Sequence, residues 1–285
     1  MISENKIKWI LKGILICLLF FILDLLFFPR NYQLPERKQE LNPQFWQLNT
    51  GSTIGYTCIS SSVQEKQKSP VIYLHGGPGG AITKRVIEDL KPLSQYGFDL
   101  YFYDQVGSGY STRLSNITEY TVQRHIDDLR EIIKKLNSEK VILIGQSWGS
   151  VLAVAYLAQH PETIDKIIFT SPGPIYPINK TEMNKQVPDQ IKIRSPFYTN
   201  REANVTASDI HIRTVQLFAT IFGKKIASNK EVDDFAVFLD SKTYKSALCD
   251  TSIQLADRGG NGYYVSIMTY KSLLECKDFR PQIRG

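Results

Sequence analysis

Residues 141–149 read VILIGQSWG, an apolar run that ends in a serine held between two glycines. The first four residues are aliphatic without interruption, which predicts a strand buried on both faces. Residues 147–159 go on with Val, Leu, Ala and Tyr at most positions and predict a helix. A serine between such a strand and such a helix, with glycine at both flanks, is the nucleophile elbow G-x-S-x-G. The physics asks for both glycines, because the turn is tight and a flanking side chain would clash. That turn lifts the hydroxyl above the sheet and sets the helix N-terminus, with its partial positive charge, beside a developing oxyanion. A serine in a chance glycine turn is the plain alternative, and the strand and helix on either side weigh against it. Ser147 is the candidate nucleophile, and Gly145, Gln146 and Gly149 complete the elbow.

Upstream, residues 71–74 form another short apolar run, followed by His75-Gly76-Gly77-Pro78-Gly79-Gly80. Glycines here let a backbone N–H approach a substrate oxygen, so the amides of Gly77 and Trp148 are the candidate oxyanion hole. His75 is a candidate base by residue type. Its place inside the glycine loop favours a part in holding the loop's shape, together with Gly76, Pro78 and Gly79. Residues 99–103 make a third run, ending in Asp104-Gln105-Val106-Gly107-Ser108-Gly109-Tyr110-Ser111. Read alone this could cradle a phosphate, but the G-x-x-x-x-G-K-[ST] pattern is absent, and a turn supporting the floor of the site is favoured. Residues 164–169 add a fourth run, closing in Ser171-Pro172-Gly173-Pro174. Residues 121–136 carry Val122, Ile126, Leu129, Ile133 and Leu136 at helical spacing behind the N-cap candidate Thr121. Residues 45–48 and 53–60 read as an entry hairpin. Apolar runs alternating with helices predict an α/β class, a mostly parallel sheet with helices on both faces. From residue 175 to 276 the alternation stops, and the stretch reads as an inserted helical lid.

The chain has 285 residues, 42% apolar and 22% charged, which excludes a disordered or fibrous protein. Its net charge of +6 is scattered, with no Lys/Arg-rich run of the kind that binds nucleic acid. Cys17, Cys58, Cys249 and Cys276 contain no C-x-x-C pair, which excludes zinc ribbons and dithiol redox centres. A Cys249–Cys276 bridge is open only to a domain in an oxidising compartment. No metal or nucleotide motif occurs, and no cofactor is expected. Residues 7–28, IKWILKGILICLLFFILDLLFF, are apolar apart from Lys8, Lys12 and Asp24. As a helix they span about 33 Å, enough for a bilayer core. They read as an uncleaved single-pass anchor within residues 1–30. A cleaved signal peptide, for which no small-residue cleavage site is present, and a buried core helix, which would be amphipathic, are the weaker readings. Basic residues on both sides leave the orientation count tied, while the short N-terminus favours a body outside the cytoplasm. The sequons at Asn116, Asn179 and Asn204 add slight support. Residues 31–43 read as a linker and 44–174 as the core.

The three loop motifs, in this order and spacing, resemble the prolyl-iminopeptidase-like branch of the α/β-hydrolases. That family's pattern is HGGPG, then DQRGSGRS, then GGSWGS leading into a helix rich in Leu, Ala and Tyr. Here Ser147-Trp148-Gly149-Ser150 runs into VLAVAYLAQHP. The likeness is sharp over residues 71–174 and faint beyond. It implies an α/β-hydrolase core with an inserted lid, and a serine hydrolase that releases an N-terminal residue, often proline, from small peptides. In such enzymes serine attacks the carbonyl, a histidine takes its proton, and a carboxylate orients the histidine. A carboxylesterase or lipase-like hydrolase and a catalytically dead binding protein are the alternatives. Three departures bear on this. The motif arginine is Val106 here. In residues 258–264, RGGNGYY, the family's amine-binding glutamate falls at Gly260. The triad acid and histidine, expected after the lid, are not found: His75, His125, His160 and His211 lie elsewhere, and Asp257 and Asp278 are candidates by position alone. The expectation is a chain whose C-terminal core, beginning at residues 277–285, is missing, and which is nearly inactive as it stands.

Overall fold

The computed structural model describes residues 4–34, 41–173, 209–247, 262–276 and 279–283. Asn179, Asn204, Cys249, Asp257, Gly260 and Asp278 lie outside them. The chain begins with α1 (Glu4–Phe27), followed by the hairpin strands β1 (Gln44–Gln47) and β2 (Thr53–Ile59) and by β3 (Val71–Leu74). Next come α2 (Lys84–Leu90), which runs into a 3-10 turn at Lys91–Tyr96, then β4 (Leu100–Tyr103) and α3 (Val122–Lys135). After these stand β5 (Val141–Gln146), α4 (Trp148–Leu157) and β6 (Ile164–Thr170). Four further helices complete the described residues: α5 (Ile210–Phe222), α6 (Asn229–Ala247), α7 (Tyr263–Glu275) and the short α8 (Arg280–Ile283).

The strands form one sheet in the order β1-β2-β4-β3-β5-β6. β1–β2 and β2–β4 are antiparallel, and the β4-β3-β5-β6 block is parallel. Register decides where chemistry can sit. Tyr73 lies opposite both Phe102 and Ile144, and Leu74 opposite Gly145, so β3, β4 and β5 all end at one level. In a parallel sheet the loops beyond those carboxyl ends share one crevice. The crossovers put helices on both faces. Ile72, Leu74, Tyr103 and Leu143 pack with α3 and α4 on one side, and Val71, Tyr73, Phe102 and Ile144 pack with Ile87 of α2 on the other. This is the alternation that a pleated strand imposes. Helices α5, α6 and α7 bring Ile212, Val215, Phe235, Val265 and Met268 into the larger of these two clusters.

The sequence-read elements stand within one or two residues of the observed ones at most ends. Thr121 caps α3 by accepting from the Arg124 N–H at 3.0 Å. Helix α2 and its 3-10 continuation carry no marked periodicity and were not legible. Of the described cysteines, Cys17, Cys58 and Cys276 are free thiols.

A buried polar knot fastens the hairpin to α3. Asp128 is 2% exposed and accepts from Thr50 Oγ1 at 2.5 Å, Ser52 Oγ at 2.9 Å and Arg124 Nε at 3.2 Å. Here the numbers decide which partner matters. Asp128→Ala leaves the Thr50 and Ser52 hydroxyls without their shared acceptor and takes from the half-buried Arg124 its closest carboxylate, though Arg124 keeps Ser52 Oγ at 2.7 Å and Glu119 at 3.4 Å. It is expected to cost about 3 kcal/mol in urea unfolding, whereas Thr50→Ala removes a single bond and costs about 1 kcal/mol. Equal losses for the two variants would contradict this account of the knot.

Candidate active site

Ser147 is the one residue between β5 and α4, and it sits at φ 51°, ψ −115°. For a non-glycine residue such a conformation stores on the order of 1–3 kcal/mol and persists only where its surroundings force it. The end of β6 supplies that force: the Ser147 N–H donates to the Thr170 carbonyl at 3.2 Å and the Ser147 carbonyl accepts from Gly173 at 3.1 Å. Both flanking glycines are required. A Cβ on Gly145 would stand 2.7 Å from the Gly149 carbonyl and the Ser150 backbone, and one on Gly149 would overlap the Leu74 carbonyl.

The loop after β3 runs past this serine. A Cβ on Gly76 would lie 3.2 Å from the Ser147 Cβ. Gly77, at φ 131°, turns the chain where its own Cβ would meet the Gly79 and Gly80 amides at 2.5 and 2.6 Å. Pro78 follows Gly77, and the Gly79 carbonyl accepts from Gly262, the residue before α7, at 2.7 Å. Trp148 opens α4, where an amide has no acceptor within the helix. Sequence-selected residues 75–79 and 145–149 are thus brought to one place.

His75 is built into the floor. It is 2% exposed, its Nδ1 lies 2.8 Å from the Gly76 carbonyl, and its Nε2 accepts from the Gln105 N–H at 2.9 Å. An accepting Nε2 fixes the proton on Nδ1, which donates to Gly76. Burial pulls the imidazole down to about 4, so it stays neutral. Gln105 was not singled out from the sequence, and it ties the three loops together. Its side-chain amide donates to the His75 carbonyl at 2.9 Å, and its Oε1 accepts from the Trp148 indole N–H at 2.8 Å. Val106, standing where the resemblance has arginine, is buried in the core. Bracing comes from Arg113 instead, which donates to the Gly109 and Ser111 carbonyls, both at 2.9 Å, and to Asp233 of α6 at 3.0 Å.

Residues 69–247 match the family model described as alpha/beta hydrolase fold, well over half of the chain. The chain belongs to the alpha/beta hydrolase fold family. Within it, the chain is 29% identical over 166 residues to a proline iminopeptidase of Heyndrickxia coagulans, covering 57% of this chain and 56% of that one. It is 32% identical over 126 residues to a proline iminopeptidase of Saccharolobus solfataricus, covering 43% and 40%. The chain therefore spans about half the length of these relatives or less. A carboxylesterase structure from Nitrososphaera gargenis superposes with a TM-score of 0.50 at 17% identity, over 85% of this chain and 76% of that one, a likeness of fold.

In this alpha/beta hydrolase all four histidines have ring partners away from the serine. Besides His75, His125 is buried on α3 with Nε2 3.1 Å from Thr269 Oγ1, and burial lowers it to about 3. The His160 ring packs on Tyr156 at 5.0 Å, with Nδ1 3.7 Å from Glu162. His211 contacts the Leu26 carbonyl and Glu231, each at 2.8 Å. Among the described residues no histidine hydrogen-bonds the Ser147 hydroxyl.

Asp104 holds the loop after β4, accepting from the Ile82 N–H at 2.7 Å and the Tyr110 N–H at 2.8 Å. Burial raises its carboxyl from 3.8 to about 6. A carboxyl that binds its proton more tightly when folded adds stability at low pH and loses it as pH rises through its folded value. Between pH 4 and pH 7 the wild type is expected to lose about 2 kcal/mol relative to Asp104→Asn, read from urea midpoints at both pH values. Parallel pH profiles for the two proteins would contradict it.

Proposed function

We propose that the site is that of a serine hydrolase of aminopeptidase type, forming an acyl-enzyme on Ser147 and releasing an N-terminal residue from small peptides. The observation that carries it is the strained serine between Gly145 and Gly149, alongside the Gly76–Gly77 turn. In this reading the carbonyl oxygen of the scissile bond accepts from the amides of Gly77 and Trp148, which stabilise the charge that develops on it. The three-motif likeness and the proline iminopeptidase relatives support the peptidase assignment. A second reading, a carboxylesterase or lipase-like hydrolase, is favoured by the exposed Ile210, Leu217 and Ile221 of α5, since an apolar lid surface suits an acyl substrate met at a bilayer. The apolar α1, long enough to cross a membrane, supports a single-pass anchor.

With its own imidazoles engaged elsewhere, the 285-residue chain is expected to turn over only at the residual rate that an oxyanion hole and substrate binding provide, about 10³–10⁴ above water. The test is fluorophosphonate labelling with and without added imidazole. The expected result is an adduct on Ser147, formed faster with imidazole and absent from Ser147→Ala. Slowing of that labelling by prolinamide supports the aminopeptidase, and slowing by a butyrate ester alone supports the second reading. No adduct on Ser147 under any condition would overturn both.

A further inference from the structure

Helix α5 has two unlike faces. His211, Ile212, Val215 and Ala219 are buried against the body, while Ile210, Leu217, Ile221 and Phe222 are exposed, Ile221 to 64%. The spacing 210, 217, 221 is one stripe along about 20 Å of helix. No acidic residue occurs between Ile210 and Phe222, and the helix leads into the exposed Lys224. Exposed apolar residues aligned along one side of a helix on a folded body are a candidate docking surface.

What lies beside the stripe identifies its occupant. α5 packs on the last turn of α1, inside the 22-residue segment Lys6–Phe27 that is long and apolar enough to cross a membrane. The Phe27 and Phe218 rings meet edge to face at 6.0 Å, and Phe218 meets Phe222 at 5.3 Å. The junction is pinned by buried polar groups as well. His211 Nδ1 reaches the Leu26 carbonyl at 2.8 Å, and Glu231 accepts from the Arg30 N–H at 2.7 Å while lying 2.8 Å from His211 Nε2. A helix fixed to residues 26–30, at the C-terminal end of a spanning segment and just beyond it, cannot stand far from the bilayer surface.

The geometry points to α5 as a second membrane contact, an interfacial helix whose Ile210–Leu217–Ile221 stripe, with Phe222 beside it at the C-terminal end, enters the headgroup–acyl boundary of an anionic bilayer. It rests on the reading of α1 as a membrane span. The helix differs from a free amphipathic segment in that its other face is packed in protein, so its orientation is set before it meets lipid. The body is thereby held at two points, with α5 and the α7 helix it packs against at the level of the headgroups.

The test places an environment-sensitive fluorescent amino acid at position 217 or 222 of the full chain, with position 15 in α1 and position 139 on the exposed far side as controls. The protein is reconstituted in phosphatidylcholine–phosphatidylserine vesicles with or without brominated acyl chains. Expected are blue-shifted emission at 15, 217 and 222, loss of that emission in brominated lipid, and neither effect at 139. Quenching at 15 without quenching at 217 and 222 overturns this proposal and leaves the anchor standing. No quenching at 15 overturns the anchor reading and the proposal with it. A blue shift at 217 that brominated lipid does not quench, together with crosslinking between chains, assigns the face to a second copy and also overturns it.

Discussion

Gln105 is bonded in several directions from one buried position. Its backbone N–H reaches the His75 ring, its side-chain N–H the His75 carbonyl, and its side-chain oxygen the Trp148 indole. Each such bond contributes about 1 kcal/mol net, but each partner left unpaired in this dry place would cost about 1–3 kcal/mol. The asymmetry makes the cluster all-or-none. Because β3, β4 and β5 end level, the three loops must emerge together, and Gln105 determines which atoms they show one another. With His75 committed below the floor, the glycines after it are free to turn beside Ser147.

The same economy explains the departure at Val106. A buried apolar side chain there adds to the core cluster, and the loop's carbonyls take their cation from Arg113. The motif resemblance marks the position that differs without showing where the compensation lies. Arg113 also reaches Asp233, which in turn accepts from the Tyr263 N–H at 2.8 Å, so the loop after β4 is tied to the helices that follow β6.

Much of this was legible along the chain. Uninterrupted apolar runs of four residues at 71–74 and 141–144, each ending at glycines, read as strands covered on both sides, and glycine at 145 and 149 has no purpose in a strand or a helix except close backbone approach. What stayed hidden depends on partners distant in sequence. Gln105 looks like any polar loop residue until His75 and Trp148 surround it. His211 resembles a surface histidine until the chain brings Leu26, 185 residues away, against its ring. Helix α2 is short, with only Ile87 fully buried, and so leaves no periodic trace.

The central claim is that His75 is a neutral fastener of the glycine loop after β3 and not a base. The direct measurement is the ¹⁵N resonance pattern of the His75 ring, followed from pH 8 to pH 4.5. The account predicts a proton on Nδ1, a bare Nε2, and no titration until the pH approaches about 4. A ring that titrates near the ordinary histidine value of about 6.5, or that carries its proton on Nε2, would contradict it.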